Sequence, residues 1–261
     1  MHSAPQTPAA RRLLRPAHQR GPAFSFIIPV YDRVQVVYEC LWSCLNQTVN
    51  DLEVVVVLDG SPPETREVVE HFRDDRLRVI SYSDSFGRPA RARNRGILEA
   101  CGDWVCFLDS DDIASPCRLE AVRAVVDAAP EPPEVVYGGV RLLPCRSDLS
   151  TLFGRMGHLD PQTATLDALK CSNQIYMPTV SVRRHTLLKF GGFRLDLLFR
   201  EDHELWLRLM SRGCRFAATE EVLALYRLHE DNLGRTLVGD DARHKEAALA
   251  AYQRPFKEWL P

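Results

Sequence analysis

The sequence predicts an α/β fold, in which helices cover both faces of a mostly parallel β-sheet. Apolar runs alternate with helix-like segments from residue 24 to residue 115, and short connections separate them. This alternation implies right-handed β–α–β crossovers. The run from Leu52 to Leu58 is almost wholly apolar and rich in valine, as expected of a strand buried on both faces. Ligands bind beyond the carboxyl ends of such strands, so the polar residues found there are the candidates for function.

The first half of the chain contains four predicted strands with helices between them. The strands are predicted at 24–30, 52–58, 77–82 and 103–108, and the helices around 37–45, from Ser61 onwards and at 89–100. The second helix has a clear start signal. Ser61 is expected to be its N-cap, Pro62 lies in its first turn, and Glu64 completes a capping box.

The pattern is looser after residue 115. Residues 141–178 show no clear periodicity and are expected to contain long loops. The elements predicted outside that stretch are a helix at 117–128, a strand at 134–140, a strand at 179–182, a helix at 184–190, a turn at Gly191-Gly192, a helix at 201–212, a strand at 222–227 and a helical tail from Asp240.

The composition is that of an ordinary globular protein. Of the 261 residues, 45% are hydrophobic and 26% charged, and the formal net charge is −2. A chain without a basic field is not expected to bind nucleic acid. Its eight cysteines include no CxxC pair, which argues against a zinc site. We expect buried, reduced thiols and therefore a cytoplasmic protein.

The chain contains no predicted transmembrane segment, because no apolar run approaches the about 18–20 residues that a membrane helix needs. Residues 1–23 are rich in Arg, Pro and Ala and lack the apolar core of a signal peptide. We interpret them as a disordered leader. The alternative is contact with a membrane surface or a partner through Arg11, Arg12, Arg15 and Arg20.

The strongest chemical signal is a group of carboxylates after the fourth strand, where the chain reads Asp109-Ser110-Asp111-Asp112. Carboxylates this close repel and raise one another's pKa values, and a divalent cation removes that repulsion. Mg²⁺ and Mn²⁺ favour oxygen ligands and keep positions open for phosphate. One interpretation is a metal site. The other is an acidic turn that precedes the helix starting near Ser115.

Two further groups lie near the same predicted edge of the sheet. Asp59 can accept a hydrogen bond from a base or a ribose, although Asp-Gly is also a common turn dipeptide. Arginines cluster at the start of the third helix, where a helix N-terminus attracts phosphate. A solvated basic face and pairing with the acidic turn are the alternatives. These arginines are Arg88, Arg91, Arg93 and Arg95.

Glu201 and Asp202 open a later helix. Acidic residues in a first turn are favoured by the helix dipole. The functional interpretation is a general base aimed into the cleft. His229 follows the last predicted strand, and a lone histidine is more often structural than a ligand.

Together these segments resemble glycosyltransferase family 2, whose members have the GT-A fold. Each is weak alone, but they occur in the order of the family and extend over roughly residues 24–232. The matching segments are 26–32 (FIIPVYD), 57–61 (VLDGS), 92–97 (ARNRGI), 108–112 (LDSDD), 191–193 (GGF), 201–209 (EDHELWLRL) and 226–229 (YRLH).

The resemblance implies a role for each matched position. Asp59 would hydrogen-bond the base, most often uracil, and Asp109 would contact the ribose. Asp111 would ligate Mn²⁺ or Mg²⁺ at the pyrophosphate, with His229 near that ion, and Asp202 would be the catalytic base. The full donor-binding set is Pro29, Val30, Tyr31, Asp59, Arg91, Arg93, Asn94, Asp109 and Ser110.

The family also implies a Rossmann-like, mixed but mostly parallel sheet flanked by helices. The segments implied are a leader (1–23), a nucleotide-sugar-binding half (24–115), an acceptor-binding and catalytic half of the same domain (116–235) and a helical tail (236–261). The chain departs from the family at two positions. Asp32 stands where Asn is usual, and Leu58 stands where many relatives have Asp, which leaves Asp59 as the one carboxylate for the base.

The implied reaction is inverting transfer of a sugar from a nucleotide-sugar, most often UDP-linked, to a hydroxyl of a saccharide, glycolipid or other acceptor. The family's common setting is polysaccharide or glycoconjugate synthesis, in the cytoplasm or at the inner face of the membrane. One alternative, a nucleotidyltransferase, needs a Gly-rich loop after the first strand, where this chain has Pro29 to Arg33. The other is a noncatalytic nucleotide-sugar-binding or scaffold protein, against which the retention of Asp109, Asp111 and Asp202 argues.

Overall fold

The computed structural model describes residues 21–144, 158–159, 161, 163–228 and 241–256. Strands and helices alternate along the first half of the chain, as predicted. In chain order the elements there are β1 (Phe24–Val30), α1 (Val37–Leu45), β2 (Leu52–Asp59), α2 (Pro63–His71), β3 (Leu77–Tyr82), α3 (Pro89–Glu99), β4 (Trp104–Phe107), β5 (Ile113–Ala114) and α4 (Arg118–Ala128).

The second half begins with a long strand and ends with a helix. Its elements are β6 (Val135–Pro144), β7 (His158–Leu159), α5 (Leu166–Cys171), a 3₁₀ turn (Met177–Thr179), β8 (Ser181–Arg183), α6 (Arg184–Phe190), α7 (Glu201–Ser211), β9 (Phe216–Leu228) and α8 (Asp241–Ala251).

The nine strands of the described ranges form one mixed sheet in the order β3-β2-β1-β4-β8-β6-β9-β5, with β7 paired to β6. Strands β1 to β4 are parallel to one another where they pair, and β6 pairs in parallel with β9. Strand β8 lies antiparallel between β4 and β6. The predicted α/β class with a mixed, mostly parallel sheet is therefore confirmed.

Helices cover both faces of the central strands, and every residue of β1, β2 and β4 is buried. Alternate residues of each strand face opposite sides. Phe26 and Ile28 pack with the helices α1, α2 and α4, whereas Ile27 packs with α3 and α7. The close approach of α3 to β1 depends on Gly96, where a Cβ would lie 2.4 Å from Cγ2 of Ile27.

The predicted start of the second helix is wrong. The helix begins at Pro63 with Pro62 as its N-cap residue, and no side chain caps it. The hydroxyl of Ser61 instead donates to the carbonyl of Val30 at 2.9 Å, which joins the end of β2 to the end of β1. Gly60 has φ of 68°, and this turn sets Ser61 against β1 rather than over the helix.

Other boundaries differ more mildly. The strand predicted at 179–182 is a 3₁₀ turn followed by the short strand β8. Strands β6 and β9 extend beyond their predicted ends because they pair with each other over ten residue pairs. The cysteines of the described ranges are all free. The expectation of buried thiols is wrong for Cys117 and Cys171, which are exposed, and Cys101 is only half-buried. None of the described helices has the length and apolar character required to cross a membrane. Residues 1–20 of the leader and Cys145 lie outside the described residues.

Candidate active site

A cleft of about 1230 Å³ opens where β1, β2 and β4 end. Their parallel register places Val30 beside Leu58 and Ile27 beside Phe107, so the residues that follow these strands meet at one edge of the sheet. Most of the predicted site residues line this cleft: Pro29, Val30, Tyr31, Asp59, Arg93, Asp109, Ser110, Asp111 and Asp202. His229 lies outside the described residues, and its metal contact remains a prediction.

Asp59 is engaged on both carboxylate oxygens. Oδ1 accepts hydrogen bonds from Arg91, Nε at 3.1 Å and Nη2 at 2.7 Å. Oδ2 accepts from the backbone N–H of Phe86 at 2.9 Å and from the hydroxyl of Ser85 at 3.2 Å. Arg91 also lies over the ring of Tyr82, 4.2 Å from its centroid. Asp59 thus anchors the 82–91 segment, which forms one wall of the cleft. Arg91, which was predicted to contact phosphate, is bound to Asp59 in this structure.

The acidic turn is held by β9. The buried Asp112 accepts the backbone N–H of Arg227 at 2.9 Å through Oδ1, and Arg227 Nε donates to the carbonyl of Asp111 at 2.9 Å. Burial raises the pKa of Asp112 well above its usual range, and the charges of Asp111 and Asp109 add to the rise. Asp112 is therefore a structural carboxyl beneath the turn, whereas Asp109 and Asp111 line the cleft.

The cleft-facing carboxylates suit an oxygen-ligated cation in part. Asp111 is partly buried, and its Oδ2 lies 3.3 Å from Nε of Arg33, so a guanidinium already balances its charge. In the described ranges no three His, Cys, Asp or Glu side chains cluster, so the protein alone does not supply the ligand set of a closed metal site. A cation here would take ligands from Asp111 and from the oxygens of a bound phosphate, as Mg²⁺ commonly does.

Arg93 connects the acidic turn to the start of α7. Its side chain, 5% exposed, donates to Asp109 Oδ1 at 2.6 Å and to Glu201 Oε1 at 2.8 Å. It also lies 5.3 Å from the ring centroid of Phe193. Burial raises the pKa of Glu201, and the positive charge of Arg93 opposes that rise. Arg93 reaches the cleft, but its first role in this structure is to hold two carboxylates together.

Asn94 does not line the cleft. It is fully buried, and its side-chain amide makes two hydrogen bonds with the backbone of Phe193: Nδ2 donates to the carbonyl at 2.8 Å and Oδ1 accepts the N–H at 2.7 Å. These bonds fasten α3 to the segment that follows α6. The structure thus gives Asn94 a structural role, and a direct contact with a donor stays a prediction.

Asp202 lies in the first turn of α7 and faces the cleft. Its Oδ1 accepts the backbone N–H of His203 at 2.7 Å, and its Oδ2 accepts Nδ2 of Asn173 at 2.9 Å. The preceding Arg200 has φ of 60°, the one left-handed non-glycine residue in the described chain. Such conformations cost energy and cluster at functional sites. The helix start presents a carboxylate to the cleft, and the role of Asp202 as a general base stays a prediction.

Sequence reasoning missed two residues that this geometry singles out. Asn173 lies in the stretch 141–178, where no pattern was visible, and its partner Asp202 is 29 residues away. Arg33 lies three residues after the end of β1 and pairs with Asp111. Arg33 comes one position after the family-matching segment 26–32, so its basic side chain could have been noticed in the sequence. Nothing in the sequence pointed to Asn173.

The sequence matches Glycosyl transferase family 2 over residues 25–191. The succinoglycan biosynthesis protein ExoO of Rhizobium meliloti is 30% identical over 253 residues, which cover 90% of this chain and 68% of that protein. The glycosyltransferase EpsJ of Bacillus subtilis is 40% identical over 101 residues. The present chain spans 29% of its length.

Two solved structures are similar in fold. TarS 1-349 of S. aureus in complex with UDP-GlcNAc superposes with a TM-score of 0.63 at 23% identity, covering 88% of this chain and 71% of that one. The mannosyltransferase PcManGT of Pyrobaculum calidifontis in complex with GDP-Man and Mn²⁺ gives 0.61 at 20% identity, covering 97% and 71%. These likenesses confirm the GT-A fold. The family match over more than half of the sequence shows that this chain belongs to glycosyl transferase family 2.

Proposed function

We propose that this protein is an inverting glycosyltransferase that moves a sugar from a nucleoside diphosphate to the hydroxyl of an acceptor. The observation that carries the proposal is the placement of Asp202. Its carboxylate faces the same cleft as Asp59, Asp109 and Asp111, although it comes from the opposite half of the chain. One cleft thus offers a general base and a strand-end nucleotide site.

The donor is expected to lie along the ends of β1, β2 and β4. Tyr31 is half-exposed at the cleft and offers a ring to stack on a base. Asp59 is proposed as the partner of the base, for which it would exchange one of the four hydrogen bonds that it accepts from Ser85, Phe86 and Arg91. Asp109 is proposed as the partner of the ribose. Uracil is the base expected from the resemblance, while the similar structures hold UDP-GlcNAc in one case and GDP-Man in the other. We therefore propose a UDP-linked donor, and the experiments below compare it with a GDP-linked donor.

The leaving group needs positive charge. Mn²⁺ or Mg²⁺, when bound, supplies Lewis-acid stabilisation of the nucleoside diphosphate that departs. Asp111 is the residue proposed to hold it, with His229 as a second predicted ligand. Arg33 lies beside Asp111 and contributes a fixed positive charge at the same place.

The acceptor hydroxyl is expected to approach from the side of α7. Asp202 removes its proton while the oxygen attacks the anomeric carbon, and the bond from that carbon to the phosphate oxygen breaks on the opposite face. The configuration at the anomeric carbon inverts, the proton remains on Asp202, and the nucleoside diphosphate leaves with the bonding electrons. Holding both substrates in one cleft supplies much of the rate enhancement, because it removes the entropy cost of bringing them together.

We further propose a role in polysaccharide or glycoconjugate synthesis, in the cytoplasm or at the inner face of the membrane. The support is the relative ExoO, which is a succinoglycan biosynthesis protein. The acceptor is proposed to be a saccharide or a glycolipid. A noncatalytic nucleotide-sugar-binding protein is the other candidate, and it predicts donor binding without transfer.

The test is release of nucleoside diphosphate from UDP- and GDP-linked sugars, with saccharides, glycolipids or water as acceptor. Asp202→Asn should lower turnover by ~10²–10⁴-fold, because general-base assistance is lost, while nucleotide affinity stays unchanged. Asp167→Asn is the control, since that carboxylate is 93% exposed on α5. Near-normal turnover of Asp202→Asn would remove Asp202 from the mechanism, and donor binding without turnover in the wild type would favour the noncatalytic protein.

A further inference from the structure

The carboxylate of Asp202 is fixed from two sides. The N–H of His203, the next residue in α7, donates to Oδ1 at 2.7 Å. The amide of Asn173, which comes from a different part of the chain, donates to Oδ2 at 2.9 Å. An ionised carboxylate has about four lone-pair sites, so two hydrogen bonds still leave acceptor capacity for a substrate hydroxyl. Both Asn173 and Asp202 line the cleft.

The orientation of the Asn173 amide follows from its second contact. Its Oδ1 accepts the backbone N–H of Ile175 at 3.3 Å. Because a backbone N–H can only donate, the oxygen must face Ile175 and the NH₂ group must face Asp202. The two bonds together hold the amide with a donor aimed at the carboxylate.

The segment that carries Asn173 is itself attached to α7. Nε2 of the buried His203 lies 2.6 Å from the carbonyl of Leu169 in α5. Burial lowers the pKa of His203, so the ring stays neutral with Nε2 as the donor to that carbonyl. Asn173 follows α5 by two residues. The base therefore sits on α7, and its amide partner lies two residues beyond α5, a helix that a separate hydrogen bond ties to α7.

We propose that Asn173 is a positioning residue for the general base, an inference that rests on the proposed function of Asp202. The amide holds the side chain of Asp202 in the one arrangement in which the carboxylate faces the acceptor. Without this bond the carboxylate can rotate about its side-chain torsions, and each misaligned arrangement lowers the fraction of molecules that can accept the proton. Asn173 itself accepts no proton and is not expected to hold the nucleotide.

The test is a double-mutant cycle of Asn173→Ala and Asp202→Asn, with kcat, the donor KM and nucleotide affinity measured for each variant. Asn173→Ala should lower kcat about tenfold, as expected for loss of a hydrogen bond to a charged group, with the donor KM unchanged. In the Asp202→Asn background it should have no further effect, because the group that it positions is gone. Asn173→Asp, which keeps the shape but loses the donor, should be at least as slow as Asn173→Ala. Asp167→Asn again serves as the surface control.

Three outcomes overturn the inference. Normal kcat in Asn173→Ala, beside an inactive Asp202→Asn, shows that the base needs no such partner. An equal loss in both backgrounds shows that Asn173 acts on something other than Asp202. Rescue by Asn173→Asp to the wild-type kcat shows that only the shape of the side chain matters. If Asp202→Asn itself turns over normally, the proposed function of Asp202 fails, and that result is separate from the other three.

Discussion

Replacing Arg93 with Met is expected to destabilise the fold substantially, because this guanidinium is the shared partner of two carboxylates. Its side chain is 5% exposed, and it lies 2.6 Å from Asp109 and 2.8 Å from Glu201. Removing one partner of a buried ion pair typically costs about 3–5 kcal/mol, since the other charge is left without compensation. Asp109 is 30% exposed and Glu201 is 15% exposed. Water can partly solvate Asp109, so we expect about 3 kcal/mol, mostly from Glu201.

The assay is urea unfolding of wild type, Arg93→Met and a control on the same helix, Arg95→Met. Arg95 makes a partly exposed pair with Glu99 at i, i+4. Such pairs contribute about 0.3–0.5 kcal/mol, so the control should change the free energy of unfolding little. The urea slope should match in all three proteins, which shows that they expose the same surface on unfolding.

The cost at Arg93 should also depend on pH. Burial raises the pKa of Glu201 in the folded protein, and Arg93 opposes this rise. A carboxyl with a raised folded pKa contributes stability below its unfolded pKa and loses it as pH rises through the folded pKa. Without Arg93 that folded pKa rises further, so the variant should lose more stability than wild type as the pH rises above the unfolded pKa of about 4.3. A cost no larger than that of Arg95→Met, or one independent of pH, would refute the idea that Arg93 neutralises Glu201.

Two further predictions concern the supports of the site. Gly96→Ala should destabilise the fold by about 1–3 kcal/mol through overpacking, because the new Cβ would lie 2.4 Å from Cγ2 of Ile27. Helix propensity alone predicts the opposite, a higher urea midpoint. A higher midpoint would therefore contradict the close packing of α3 on β1. Burial lowers the pKa of His203, so its contribution to stability should be present above the unfolded pKa of about 6.5 and be lost as pH falls through the folded value. The difference in the free energy of unfolding between wild type and His203→Gln should therefore shrink between about pH 7 and about pH 5. The same difference at both pH values would show that His203 does not stay neutral.

Sequence patterns predicted the central strands and one edge of the cleft for a physical reason. A strand buried on both faces must be almost wholly apolar, so Leu52–Asp59 was identifiable from composition alone. Because parallel strands end at the same edge, Asp59 and Asp109 could be placed together before any coordinates were known. The helix starting at Glu201 was also visible, from its buried stripe.

The contacts that complete the site were not predictable in the same way. Asn173 and Asp202 meet because α5 packs on α7, and neither sequence periodicity nor turn chemistry records that packing. Ser61 had the right sequence context for a cap, yet a tertiary partner, the carbonyl of Val30, competes for its hydroxyl. Arg93 pairs with Asp109, which was one of the alternatives for the arginine cluster, whereas its second partner, Glu201, comes from a distant helix and had no signal in the sequence. Local signals fail where a side chain has a better partner far away in the sequence.

The most direct test of the proposed function is calorimetric titration of the full chain with UDP and with GDP, each with Mn²⁺ and with EDTA. We expect metal-dependent binding of UDP, and in Asp111→Ala a loss of the Mn²⁺-dependent part of the affinity, because Asp111 is the proposed ligand that faces the cleft. Tighter binding of GDP would reassign the donor. Binding that is equal in Mn²⁺ and EDTA, or equal in Asp111→Ala and wild type, would contradict the metal assignment, and no binding of either nucleotide would contradict a nucleotide-sugar site in this cleft.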